Sequence, residues 1–138
     1  SERYCGDSAE VCVYAKCATG CSGAMSKSNR QYLEDMLQYA NVIAGLSESG
    51  REGLENNLIL QLATTRAYEI IGEIAKRLPN ELLAQRPEAE WDDVKGFRDY
   101  LAHNYDKIEV EYIWRAILKL PILQKAIQAL LDGLGDVE

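Results

Sequence analysis

From Met25 onward the apolar residues recur at spacings of three and four, and no stretch of useful length alternates. A chain with this period buries its apolar stripes as packed helices, which confines the fold to the all-α class. Tyr32, Leu33, Met36, Leu37, Ala40 and Ile43 form one stripe, closed by Gly45, and Ser47 to Gly53 reads as a polar connection. A second stripe runs through Leu54, Leu58, Leu62, Ile70, Ile71, Ile74 and Leu78 to Pro79. Read as one helix it has roughly 25 residues and is about 40 Å long. Asn80 to Gln85 is a short turn of helix, and a third long segment begins near Ala89 or Trp91 and reaches Asn104. Val110 to Leu120 is a fourth, and Pro121 opens a last helix that Gly133 and Gly135 end. The expected architecture is an up-and-down bundle of about five helices with short connections. Gly45, Gly72 and Gly96 interrupt helical patterns, where close packing or capping is their ordinary role.

With 138 residues there is room for one core. No apolar run approaches the roughly 20 residues of a membrane span. Ser1-Glu2-Arg3-Tyr4 lacks the apolar segment of a secretory signal, so the expectation is a cytoplasmic protein. Cys5, Cys12, Cys17 and Cys21 all fall in the first 21 residues. That stretch, residues 1–24, is set apart as an extension, and 25–138 as the helical domain. A non-native leader ahead of a start at Met25 is the favoured reading. A small disulfide-bonded segment and a metal site stay open, although intervals of six, four and three residues fit no zinc pattern well. After residue 25 there is no cysteine and one histidine, so no metal or other cofactor is expected.

Charge narrows the function classes. A net charge of -7 opposes binding to nucleic acid by bulk electrostatics. Even residues 66–119 hold nine Lys/Arg against eleven Asp/Glu. Any RNA contact therefore has to be local, in a cleft where a few basic side chains converge.

The chemistry-bearing run is Trp91-Asp92-Asp93-Val94-Lys95-Gly96-Phe97-Arg98-Asp99-Tyr100-Leu101-Ala102-His103-Asn104-Tyr105, with the single histidine of the chain. A lone histidine near a helix end is most often a surface or capping residue. Imidazole is also the side chain suited to acid–base work near neutral pH, and a helix C-terminus favours its cation by about 0.3–1 kcal/mol. Arg98 carries the fixed fork of donors that fits a phosphate. Five residues of ideal helix rotate by about 140°, so Arg98 and His103 do not stack. Asp99 and His103, four apart, share a face, and Asp99 is a candidate to orient the ring. Glu34/Asp35 and Glu109/Glu111 read as solvated helix faces rather than catalytic pairs, and Trp91, Tyr100 and Trp114 as core rather than a base-stacking platform.

This run resembles the Arg-x4-His-x-Tyr signature of HEPN-domain proteins, in particular the HepT toxins of HEPN–MNT toxin–antitoxin systems. Ile70-Ile71-Gly72-Glu73-Ile74-Ala75 looks like the long-helix segment of that family, and Trp91 and Trp114 sit where its tryptophans do. The resemblance covers about residues 26–131, and residues 1–24 have no counterpart. It implies a helical homodimer whose motifs face each other across a cleft, acting as a metal-independent endoribonuclease. By that analogy Arg98 and His103 are catalytic, and Asp99 and Asn104 support them. Tyr105 would be the tyrosine that a partner nucleotidyltransferase silences with AMP. The rival reading is a non-catalytic module that docks the nucleotidyltransferase and helps form a nucleotide pocket. On residue type alone, Tyr105 is equally a packing aromatic with a polar tip.

Overall fold

The computed structural model describes residues 27–134, and within them all regular structure is helical. The cysteine-bearing stretch 1–24 and Gly135 lie outside the described residues. Helix α1 is Asn29–Leu46, α2 Gly50–Glu55, α3 Leu58–Arg77 and α4 Asn80–Leu83. A 3₁₀ turn at Pro87–Ala89 leads to α5, Trp91–His103, followed by α6, Val110–Leu118, and α7, Leu120–Leu134. The four-residue α4 and six-residue α2 are connectors between five longer helices.

Helix α1 starts where Ser28 and Gln31 cap each other. The Ser28 hydroxyl accepts from the Gln31 N–H (3.1 Å), and the Gln31 side chain accepts from the Ser28 N–H (2.9 Å). Its stripe of Leu33, Met36, Ala40 and Ile43 is fully buried, against α3 on one side and α7 on the other. Helix α5 lies across α3 on the flank away from α7. Ile71, Leu101, Ile113, Ile127 and Leu130 complete the centre of one core.

The long second helix expected from the sequence is two helices. Asn57 adopts extended backbone (φ -137°, ψ 104°), and its side chain accepts from the Leu60 N–H (3.1 Å), making it the N-cap of α3. Asn56 closes α2 by donating from Nδ2 to the Glu52 carbonyl (2.9 Å). With α2 beginning at Gly50, the second half of the expected connection is helical. Leu58 and Leu62, placed on the buried stripe by periodicity, are instead 67% and 62% exposed. The last helix begins one residue before Pro121, a proline being well tolerated in a first turn, and it contains Gly133. Pro121 has no N–H to continue α6, which accounts for the break at Lys119.

Two details set up α5. Trp91 is buried and donates from Nε1 to the Arg86 carbonyl (2.9 Å), locking the first turn of the helix. Glu90, just before it, sits in the left-handed region (φ 57°), at a cost of about 1–2 kcal/mol for a residue with a side chain. Trp114 and Tyr100 are partly buried against the core, as expected of packing aromatics.

Candidate active site

Helix α5 carries the motif and α3 is its bed. Gly72 is what permits the two to touch. A Cβ built there would lie 2.3 Å from Arg98 Cβ, 2.9 Å from Arg98 Cγ and 3.2 Å from the Val94 carbonyl oxygen. The stem of Arg98 therefore occupies the space that any other side chain at position 72 would fill. Close helix packing, the ordinary role of such a glycine, is its role here.

From that seat the guanidinium reaches along α3. Nη2 lies 3.1 Å from Glu73 Oε1, and Nη1 donates to Asp99 Oδ1 at 3.3 Å. Asp99 also accepts from Lys76 Nζ at 2.5 Å. Lys76 first, and Arg98 after it, hold the Asp99 carboxyl below its ordinary range. These are surface pairs of small energetic weight. Their effect is to keep the guanidinium over one patch of α3 while leaving other N–H donors unused.

Asp99 orients His103 through its backbone rather than through its carboxylate, which the two cations occupy. His103 Nδ1 is 2.8 Å from the Asp99 carbonyl oxygen. A carbonyl can only accept, so Nδ1 carries the proton and Nε2 is the nitrogen left for outside chemistry. The ring is exposed. Asn104 ends the helix, its backbone N–H (3.0 Å) and Nδ2 (2.9 Å) both donating to the Tyr100 carbonyl. Tyr105, just beyond, is 82% exposed, which excludes the packing role its residue type allowed.

Two adjoining grooves run over this surface. The smaller, about 180 Å³, is lined by Arg98, Ala102, Glu73, Ile70 and the Arg66–Glu69 pair. The larger, about 390 Å³, shares Arg66 and Glu69 and extends to Tyr105, Leu58 and Leu62. Arg98 and Tyr105 are thus joined along one surface, whereas His103 lines neither groove. Within one protomer the motif does not close into a single pocket.

Glu73, Lys76, Arg66 and Glu69 were not singled out by sequence reasoning. Their signal was a polar stripe at helical spacing on α3, which gains meaning only once α5 is known to cross there. The paired carboxylates are the solvated faces expected: Glu111 with Arg51 (2.5 Å) and Arg115 (2.9 Å), Glu34 with Arg30 (3.9 Å) and Asp35 with Lys27. Among the described residues no three His, Cys, Asp or Glu side chains gather into a metal-binding group, and no helix is long and apolar enough to cross a membrane.

Comparison with known proteins gives one consistent result. The model of a family described as ribonuclease HepT-like matches residues 31–130. A candidate RNase of Caldanaerobacter subterraneus subsp. tengcongensis is 35% identical over 108 residues, covering 77% of this chain and 96% of that protein. A candidate ribonuclease HepT of Thermococcus cleftensis is 34% identical over 97 residues, covering 67% and 86%. A candidate RNase of Methanocaldococcus jannaschii is 30% identical over 107 residues, covering 75% and 98%. No solved structure gives a significant match.

Proposed function

The chain belongs to the HepT-like family of ribonucleases, and from that premise we propose that it is a metal-independent endoribonuclease toxin acting through His103 and Arg98. The observation that carries the reading is the fixed imidazole. With Nδ1 committed to the Asp99 carbonyl, Nε2 is free to take the proton of a ribose 2′-OH. That oxygen attacks the neighbouring phosphorus, and the bond from phosphorus to the 5′ oxygen breaks. A 2′,3′-cyclic phosphate forms, and the departing oxygen receives a proton from an imidazolium. The spare donors of Arg98 face the charge that builds on the pentacoordinate phosphate.

One proton is removed and one supplied, yet each chain has one histidine. A two-fold homodimer brings a second, so that the two motifs share a cleft. The exposed ridge of Leu58, Ile59 and Leu62 beside the Tyr105 groove supports this, since contiguous apolar surface of that kind is what a second copy covers.

Tyr105 is the point of control in this reading. A partner nucleotidyltransferase joins its phenolic oxygen to the α-phosphorus of ATP, pyrophosphate leaves, and the proton goes to solvent. The exposure of the ring suits such a transfer. An adenylate there carries negative charge into the surface that leads to Arg98, where it competes with the RNA phosphate.

The test is cleavage of a defined RNA by the purified chain in excess chelator. The wild type should cut, and His103→Ala should cut at least ~10²-fold more slowly. Cleavage that chelator abolishes and Mg²⁺ restores refutes the acid–base mechanism. A chain that binds the nucleotidyltransferase but neither cuts RNA nor arrests growth when expressed alone points to the docking module instead.

A further inference from the structure

On the opposite side of α5 from Arg98 and Ala102 lies another concavity, of about 430 Å³. It is within the range of roughly 300–1,000 Å³ typical of small-molecule pockets. Its wall is a run of aromatic rings. Tyr68 meets Phe97 edge-on at 5.4 Å, Phe97 stacks parallel to Tyr100 at 6.1 Å, and Tyr100 meets Tyr112 edge-on at 5.3 Å. Val94, Ala116 and Leu123 add aliphatic surface.

The polar groups of this pocket are already partnered, with one exception. Glu90 pairs with Lys119 at 3.1 Å across the 3₁₀ turn and α6, and Arg115 lies over the Tyr112 ring at 5.7 Å. The exception is Tyr68. It is 5% exposed, and among the described residues its hydroxyl is the buried side-chain polar atom without a hydrogen-bond partner. Burial raises the Tyr68 pKa well above that of a free phenol, so the group is an O–H donor in search of an acceptor. Buried donors are nearly always satisfied in folded proteins, and a ligand is one way to satisfy them. The mouth narrows the choice of ligand further. Glu90, Asp92 and Asp93 line it, an arrangement that disfavours anions and hence a phosphate chain.

We infer that this pocket binds a flat, uncharged aromatic molecule bearing a carbonyl-type acceptor, which takes the hydrogen bond of the Tyr68 hydroxyl while its ring system packs on Phe97, Tyr100 and Tyr112. The site is separate from the RNA-cleaving surface and stands whether or not that activity is found.

Prodan, a neutral naphthalene ketone whose emission shifts to the blue in apolar surroundings, is a suitable probe for the full chain. Saturable blue-shifted emission at one probe per chain is expected. Gly96 lines the pocket, and a Cβ added there meets no atom within 4 Å. Gly96→Leu should therefore fill the mouth without disturbing the fold, weakening Prodan at least about tenfold with an unchanged far-ultraviolet spectrum. Tyr68→Phe keeps the ring and removes the donor. It should weaken Prodan by about three- to tenfold, the worth of one hydrogen bond. Naphthalene, which has no acceptor, should compete for wild type and Tyr68→Phe equally well. Absence of saturable binding up to the solubility limit of the probe overturns the site, as does undiminished affinity in Gly96→Leu. Equal losses for Prodan and naphthalene in Tyr68→Phe overturn the role of the hydroxyl.

Discussion

Gly72→Ala adds one methyl group at the contact between α3 and α5, and its two effects can be separated. In a helix interior the change alone stabilises by about 1 kcal/mol. Against that, the new carbon would sit 2.3 Å from Arg98 Cβ, far inside the ~3.5 Å at which two carbons rest. Both atoms are close to their backbones, so the strain has to be relieved by moving helix α5 or the Arg98 stem. Overpacking of this kind costs about 1–3 kcal/mol, leaving a net loss of about 0–2 kcal/mol. For a domain of this size that lowers Tm by no more than about 10 °C, and the protein remains folded. Function should suffer more. A displacement of about 1 Å at a group that binds the transferring phosphate is enough to cost ~10²-fold in rate. Thermal melts by circular dichroism and single-turnover RNA cleavage, run on the same preparation, measure the two effects. Gly45→Ala is the control: nothing lies within 4 Å of its added carbon, so it should gain up to about 1 kcal/mol and cleave normally. A Gly72→Ala protein that melts higher, as Gly45→Ala does, and cleaves at the wild-type rate refutes the close seating of Arg98.

Leu101 is fully buried one residue before Ala102, and Leu101→Ala should cost about 2–5 kcal/mol by chemical denaturation; a loss under about 1 kcal/mol shows that α5 is not packed as described. Asp99 and Glu111 are both held below their ordinary carboxyl range by cationic partners, so their contribution is present at neutral pH and is lost as pH falls through those lowered values. Asp99→Asn with Glu111→Gln should flatten the acid limb of a stability-against-pH curve, and an unchanged limb rules the pairs out as its source. Tyr105→Phe should keep most of the cleavage activity and escape neutralisation on co-expression with the nucleotidyltransferase. Intact-mass increments of whole AMP units on the wild type, absent from the variant, are the check, and an unmodified wild type that is still silenced indicates inhibition by docking alone.

Local grammar made much of this fold readable. The serine–glutamine box before α1, the spacing of its buried stripe, Pro79 after α3 and Pro121 after α6 each act within a few residues. The misreading at Asn56–Asn57 shows where such grammar fails. Leu54, Leu58 and Leu62 keep the helical spacing, so the period ran through a pair of asparagines whose side chains in fact end one helix and start the next. The exposure of Leu58 and Leu62 was likewise hidden, because a period identifies a face and not what covers it. At the site, the motif residues were legible by type. What holds them was not: Glu73 and Lys76 matter through the crossing of α3 and α5, and Asp99 orients the histidine by a carbonyl that every residue possesses.

Helix α5 has thirteen residues, of which Trp91 and Leu101 are buried, near its two ends. Between these anchors the span rests on a glycine contact, half-covered rings and surface ion pairs. Helix α1, by contrast, buries a side chain at every turn. Opening of the middle of α5 therefore exposes little apolar surface and needs less free energy than unfolding the bundle. Its amides will exchange with solvent deuterium through local opening while those of α1 wait for global unfolding. The functional helix is in this sense the part of the molecule with the least thermodynamic protection, and its residues can shift to meet a substrate while the rest of the core stays closed.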